Sequence, residues 1–462
     1  MNKCQSGSVH SCFPLSEVGN SQRRGESAAL TVSEPLLTSV QPPNGDPQEA
    51  EVTEEDPVLD EALQRLEFFL FLFGFHQTSP LNVFLSWSAF LVVGVSVPIL
   101  TLEFSRCSGC EEYQIIKFEL SILASQATLA AVSLLCVSHN LRKYGVRKFL
   151  FVDRFHGQMI RFRKEYVQKI QGFFRLLLLW ILPVVLLKVI RETMRIIYVN
   201  HQSMWLSLVF SLALIMSWAY LATIFLSACI LFHLVCNLQV IHFDDYGKLL
   251  ERDSDSLILL EEHMRLRYHL SKISHRFRIY LLLAFLVVTA SQFMTLFQTT
   301  GYHQIINFIN SGDFLVSSIV EVVGLTLCLH AAAKISHRAQ GVASVASRWH
   351  ALVTCSSDGS QHRHTNSVGN FETNLAASFF IDYSESDLES LDNASWPTNP
   401  YFTSHMSSFQ KRQALVMYLQ SNPGGLTIFG WTVDRALVNT IFFIELSLVL
   451  FVLGKTVVFI SK

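Results

Sequence analysis

Glu445 is a carboxylate in the middle of a predominantly apolar run, 436–460. An ionised carboxylate at the centre of a bilayer costs roughly 2.5–3.5 kcal/mol on insertion scales, so something must compensate it. Several copies of Glu445 around a symmetry axis would form a ring that attracts cations. Equally, a single Glu445 would be buried, protonated or bonded to a neighbouring helix. Asp434 lies eleven residues earlier, about three helical turns, and so shares the face of Glu445. It is a candidate for the mouth of a pore, or else caps the helix or pairs with Arg435.

Other ionisable residues interrupt apolar runs. Glu321 falls mid-run, where structural pairing is the expected use. Glu119 and Lys188 sit toward the ends of theirs, where a ligand pocket would open. Lys188 has the simpler option of reaching to the interface with its long stem. His233 and His330 lie near run ends, and a lone histidine there is more often a packing residue than a ligand. Cys107 and Cys110 are the only closely spaced cysteines of nine, and read either as a local disulfide or as two free thiols. His362 and His364 lack the converging partners that a metal would need. Phosphate-binding loops, metalloprotease helices and hydrolase elbows are all missing, so the expectation is a non-enzyme with no cofactor and no metal.

These residues need long helices to position them. Half of the 462 residues are hydrophobic and 36 are Phe, while only 16% are charged. A soluble chain of this length carries about a quarter charged residues. Mean hydropathy is +0.34. The excess points to a lipid bilayer as partner, and a net charge of −2 offers no bulk basic surface for nucleic acid. A bilayer crossing takes about 20 helical residues. Runs at 82–104, 115–137, 173–190, 204–236, 279–299, 314–333 and 436–460 meet that length or approach it, giving an all-α membrane protein with seven transmembrane helices. Pro98 and Pro183 fall inside runs, where neighbouring helices absorb a kink. No apolar stretch of signal-peptide length precedes residue 66, so insertion is expected to use an internal segment.

Basic residues in the connections set the orientation. Residues 138–172 carry nine Lys and Arg and residues 237–278 carry seven. The alternate connections hold Arg106, then Arg191 and Arg195, and none over 300–313. The basic side faces the cytosol, which puts the N-terminus inside and the C-terminus outside. Residues 1–58 read as a disordered acidic tail. Residues 59–80 begin with Leu59, Leu63, Leu66 and Leu70 at helical spacing, either an amphipathic helix at the inner membrane face or one packed on the bundle. Transmembrane helices one to six fill 81–336. Within them, residues 237–278 predict a cytosolic helical hairpin with a turn at Asp253–Ser256. Residues 337–432 predict a cytosolic connection with a disordered middle, 355–408. There 339–353 prolongs helix six and 409–420 forms a short helix that ends before Asn422-Pro423-Gly424-Gly425. Asn393-Ala394-Ser395, the only glycosylation sequon, would face the cytosol and stay unmodified.

Cys107-Ser-Gly-Cys110, Ile335-Ser-His-Arg-Ala339 and Arg348-Trp-His-Ala351 are distinctive local strings. The run Gly424-Gly-Leu-Thr-Ile-Phe-Gly-Trp-Thr-Val-Asp-Arg435, followed by Thr440-Ile-Phe-Phe443, is more so. Across 60–462 the chain resembles the plant gustatory-receptor-like proteins, relatives of insect odorant and gustatory receptors. The resemblance implies a cytosolic anchor built from helices four to six, four subunits meeting there, and a central cation pore lined by helix seven. Insect receptors carry Thr-Tyr, then Gln-Phe five residues later, in the last helix. Here Thr440 precedes Ile441 and the later positions are Ser447 and Leu448, so pore residues are not carried over. The function this implies is a chemoreceptor-like, homotetrameric, ligand-gated cation channel of the plasma membrane, with a small-molecule ligand. The alternative is a non-channel membrane scaffold or growth regulator acting through its cytosolic regions.

Overall fold

The computed structural model describes residues 57–104, 116–151, 159–198, 204–252, 255–301, 308–357 and 407–460. The acidic tail, the middle of the 355–408 segment, Cys107, Cys110, His362, His364 and the sequon at Asn393 lie outside the described residues.

Helix α1 (Pro57–Leu72) places Leu59, Leu63, Leu66 and Leu70 in the core and leaves Phe68, Phe71 and Leu72 exposed. The 3–4 spacing of its leucines therefore buries one stripe against the chain's own helices. Gly74 ends this unit at a φ of 79°. A Cβ there would also sit 2.4 Å from the Ser86 hydroxyl, which donates to the Gly74 carbonyl at 2.8 Å. Only glycine meets both demands.

Helix α2 (Pro80–Phe104) is α-helical at both ends and π-helical over Phe90–Ser96. Pro98 explains the distortion. It has no N–H to donate, and its ring presses on the preceding turn. The Val97 N–H bonds the Val92 carbonyl, five residues back. The Val93 carbonyl accepts instead from the Ser217 hydroxyl at 2.7 Å. A neighbouring helix thus satisfies a carbonyl at the distorted turn.

Five long helices follow: α3 (Ile116–Phe149), α4 (Met159–Tyr198), α5 (Met204–Glu251), α6 (Ser256–Gly301) and α7 (Phe308–Ser357). Near its end, α3 is interrupted at Gly145, which has a φ of 73°. With α2, these make six helices long and apolar enough to cross a membrane among the described residues. Helices α5, α6 and α7 have 48, 46 and 50 residues. At 1.5 Å per residue each is roughly 70 Å long, more than twice a hydrocarbon core of about 30 Å. Their surplus length forms a bundle end. There the Tyr246 hydroxyl donates to the Leu259 carbonyl at 2.9 Å and ties α5 to α6 across their turn.

The most central element is α5. Of its most apolar stretch 94% is buried, against 22% for α2 and for α4. It touches α7 so closely that a Cβ on Gly324 would lie 2.4 Å from Phe225. Helix α8 (Ser408–Ser421) packs Leu415, Val416 and Leu419 onto the surplus length of α6 and α7. A reciprocal capping box between Ser407 and Gln410 starts it.

Strands β1 (Thr427–Ile428) and β2 (Trp431–Thr432) then form a small hairpin. It is pinned to the bundle by Leu426 and Thr427, whose N–H groups donate to the Ser336 and Ser274 hydroxyls at 3.0 and 3.2 Å. Helix α9 (Arg435–Ile460) runs back along α6 and α7.

Candidate functional site

Two groups of ionisable side chains lie inside the bundle. The first gathers where α4 ends and α3 and α7 begin. Lys188, Arg191, Glu192 and Arg195 fall at i, i+3, i+4 and i+7 of α4, which puts all four on one helical face. That face meets Glu119 of α3 and Asp313 of α7. Arg191 reaches Glu119 at 2.8 Å and Glu192 at 2.5 Å. Lys188 pairs with Asp313, and with Glu192 at 3.3 Å. Arg195 approaches Glu119 at 3.6 Å. The Lys188 ammonium also stands 5.8 Å from the centroid of the Trp218 ring on α5. Three cations thus meet three anions, and Glu192 is only 1% exposed. The sequence singled out Glu119 and Lys188, and the structure brings both into this cluster. It missed Glu192 and Asp313 and placed Arg191 and Arg195 in a connection. The spacing of the four on α4 is the signal that could have found them.

The second group is a pair of carboxylates on α7 and α9. Glu321 is buried and accepts a hydrogen bond from the Ser125 hydroxyl of α3 at 3.3 Å. Glu445 is 2% exposed and accepts from the Thr289 hydroxyl of α6 at 2.9 Å. The two carboxylates interact electrostatically. Among the described residues nothing donates to the second oxygen of Glu445, and neither carboxylate has an ion-pair partner. Glu445 lines a half-open cleft of about 250 Å³ between α7 and α9. The walls are mostly carbon, from Leu325, Leu329, Ile441 and Phe442. Thr326, His330 and Asn439 add polar groups. One turn beyond Thr289, Gln292 is fully buried, and neither amide atom has a partner among the described residues.

The structure separates the two acidic candidates of the last helix. Glu445 turns inward. Asp434 is exposed and caps α9, accepting from the Leu437 N–H at 2.8 Å. The exposed side of α9 instead carries Ala436, Asn439, Thr440, Phe443, Ser447 and Leu450. His233 contacts Asn237 at 3.1 Å, and Asn237 accepts from the Lys334 ammonium at 2.9 Å. No group of three or more His, Cys, Asp or Glu among the described residues is placed to hold a metal ion.

A family model described as "Protein of unknown function (DUF3537)" matches residues 61–444. The chain belongs to this family. No curated protein matches the DUF3537 chain in sequence. Among solved structures it is similar to the insect olfactory receptor OR5 from Machilis hrabei in complex with eugenol. The TM-score is 0.51 at 12% identity, covering 86% of this chain and 100% of the receptor. A second structure of that receptor gives 0.49, also at 12% identity, covering 86% and 99%. At such identity the likeness concerns the fold. This DUF3537 protein is an all-helical, multi-pass membrane protein with the seven-helix fold of an insect olfactory receptor.

Proposed function

We propose that this chain is a chemoreceptor-like, ligand-gated cation channel, a homotetramer of the plasma membrane whose pore is lined by α9. On this reading it belongs with the plant gustatory-receptor-like proteins. The observation that carries the proposal is the exposed side of α9. Thr440 and Ser447, seven residues and about two turns apart, share that side. Hydroxyl oxygens on that side can each accept a hydrogen bond from water, even where, as in Thr440, the proton goes to the Ala436 carbonyl at 3.0 Å. They are well matched to a wet axis between subunits. The N-terminus is cytosolic, the C-terminus extracytoplasmic, and α1 lies at the cytosolic face. The surplus length of α5 to α7, with α8, forms a cytosolic anchor. Exposed Ile258, Leu352, Phe409 and Met417 give that anchor apolar contacts for neighbouring subunits.

Asp434 then stands at the cytosolic mouth, where its charge attracts cations. Glu445 adds negative potential from behind the pore-lining side. The ligand is a small molecule, as eugenol is for the insect receptor. It is bound between the helix halves near Glu119 and Lys188.

Cysteine scanning of α9 in reconstituted protein tests this. Conductance should appear, and Thr440→Cys and Ser447→Cys should be blocked by a charged thiol reagent while Glu445→Cys is spared. Absence of any conductance in a folded tetramer would leave the scaffold reading. Block at Glu445→Cys alone would move the pore to the other side of α9.

A further inference from the structure

The cleft between α7 and α9 carries a carboxylate, Glu445, that has no ion-pair partner among the described residues. Glu445 uses one oxygen to accept from Thr289. The other oxygen is buried, has no hydrogen-bond partner among the described residues, and belongs to a side chain that lines the cleft. Buried charges are ordinarily paired or coordinated, and the charge cluster at the end of α4 shows that this protein can pair its own. Here it does not.

We propose that the cleft is a binding site for a small organic ammonium ion, with Glu445 as its anionic pole. The shape selects the class. A hard metal cation takes about six to eight oxygen ligands, whereas the cleft offers Glu445, Thr326 and Asn439 among walls that are mostly carbon. A primary ammonium needs only three acceptors. Its carbon body packs on Leu325, Leu329 and Ile441, and the Phe442 ring gives the cation an aromatic face. The volume of about 250 Å³ lies below the usual range for drug-sized ligands, so the occupant is small. This site is separate from the pocket assigned to the gating ligand near Glu119 and Lys188, and it requires no conductance.

The test is calorimetric titration of the full chain in nanodiscs of phosphatidylcholine and phosphatidylglycerol, which contain no primary amine. The probes are 2-phenylethylammonium and its neutral counterpart 2-phenylethanol. The ammonium should bind saturably and the alcohol should not. Glu445→Gln should weaken binding by more than about tenfold, the loss of a charge-assisted bond. Glu445→Asp should retain part of the affinity. Leu329→Trp should abolish binding by filling the cleft. Equal affinity for the two probes, unaltered binding in Glu445→Gln, or no saturable binding by wild type would each overturn the proposal. Because binding is read directly, a protein that fails to conduct yet binds the amine sinks the channel reading and leaves this one standing.

Discussion

The cluster at the end of α4 and the carboxylates on α7 and α9 treat buried charge in opposite ways. In the first, three cations and three anions from three helices satisfy one another at 2.5–4.0 Å, with the Lys188–Asp313 bond at its centre. In the second, Glu321 and Glu445 hold only hydroxyl donors, from Ser125 and Thr289. Removing one member of a compensated cluster leaves its partner as an orphan charge. Neutralising a carboxylate that never had a counter-ion relieves a cost. The same substitution type should therefore have opposite signs in the two places.

The largest effect is expected from Arg191→Met. It deprives Glu119 and Glu192 of their nearest cation and should cost about 3–5 kcal/mol, as breaking a buried pair does. The readout is the folded, monodisperse fraction and its melting temperature in detergent, both of which should fall sharply. The double variant Lys188→Met with Asp313→Leu removes a pair together, and should recover most of the loss seen in Lys188→Met alone, because a well-packed apolar pair is often no worse than a buried ionic one. If the double variant is as unstable as the sum of its singles, the cluster acts as one indivisible unit and not as pairs.

Next in size is the seam between the regions. Gly324→Ala would push a methyl group onto the Phe225 ring. Overpacking of this kind typically costs 1–3 kcal/mol. The melting temperature should drop, and Phe225→Leu should restore part of it. An unchanged melting temperature in Gly324→Ala would mean that α5 and α7 slide freely past one another.

Glu445→Gln supplies the contrast with Arg191→Met. Glutamine keeps a carbonyl that accepts from Thr289 and removes a charge with no ion-pair partner among the described residues. Stability should stay within about 1 kcal/mol of wild type or rise. A loss as large as that of Arg191→Met would reveal a cation held against Glu445 in the resting protein.

How far these regions could be read beforehand follows from the range of the signal. Apolar length gave the helices, because it is a local property of the chain. The 3–4 pattern in α1 and the Asn-Pro-Gly-Gly stop after α8 were equally legible. The charge cluster was half legible. Glu119 and Lys188 stood out as charges within apolar runs, but their partners come from helices far apart in sequence, and Asp313 joins Lys188 only once α4 and α7 pack. Glu445 was conspicuous in the sequence, yet whether it faces an axis or a neighbour depends on the rotation of α9 about its own length. That rotation is fixed by packing against α6 and α7, and no local pattern encodes it. A distortion at Pro98 was legible from the proline itself, but the partner that satisfies the Val93 carbonyl was not, because Ser217 comes from α5, far away in sequence.

The smallest expected effect isolates charge from structure at the entrance to α9. Asp434 accepts from the Leu437 N–H and so acts as a helix cap. Asparagine caps about as well as aspartate, whereas alanine loses roughly 0.5–2 kcal/mol. Asp434→Ala should therefore lower the melting temperature modestly, and Asp434→Asn should leave it near wild type. On the proposed channel reading, any change in cation conductance in Asp434→Asn is then a change in field near the pore and not a frayed helix. Raising ionic strength should shrink that change, since an exposed charge is screened over about 10 Å at 0.1 M salt. For Glu445, which is buried, the salt dependence should be much weaker. Equal salt dependence at the two positions would mean that both carboxylates meet the same water.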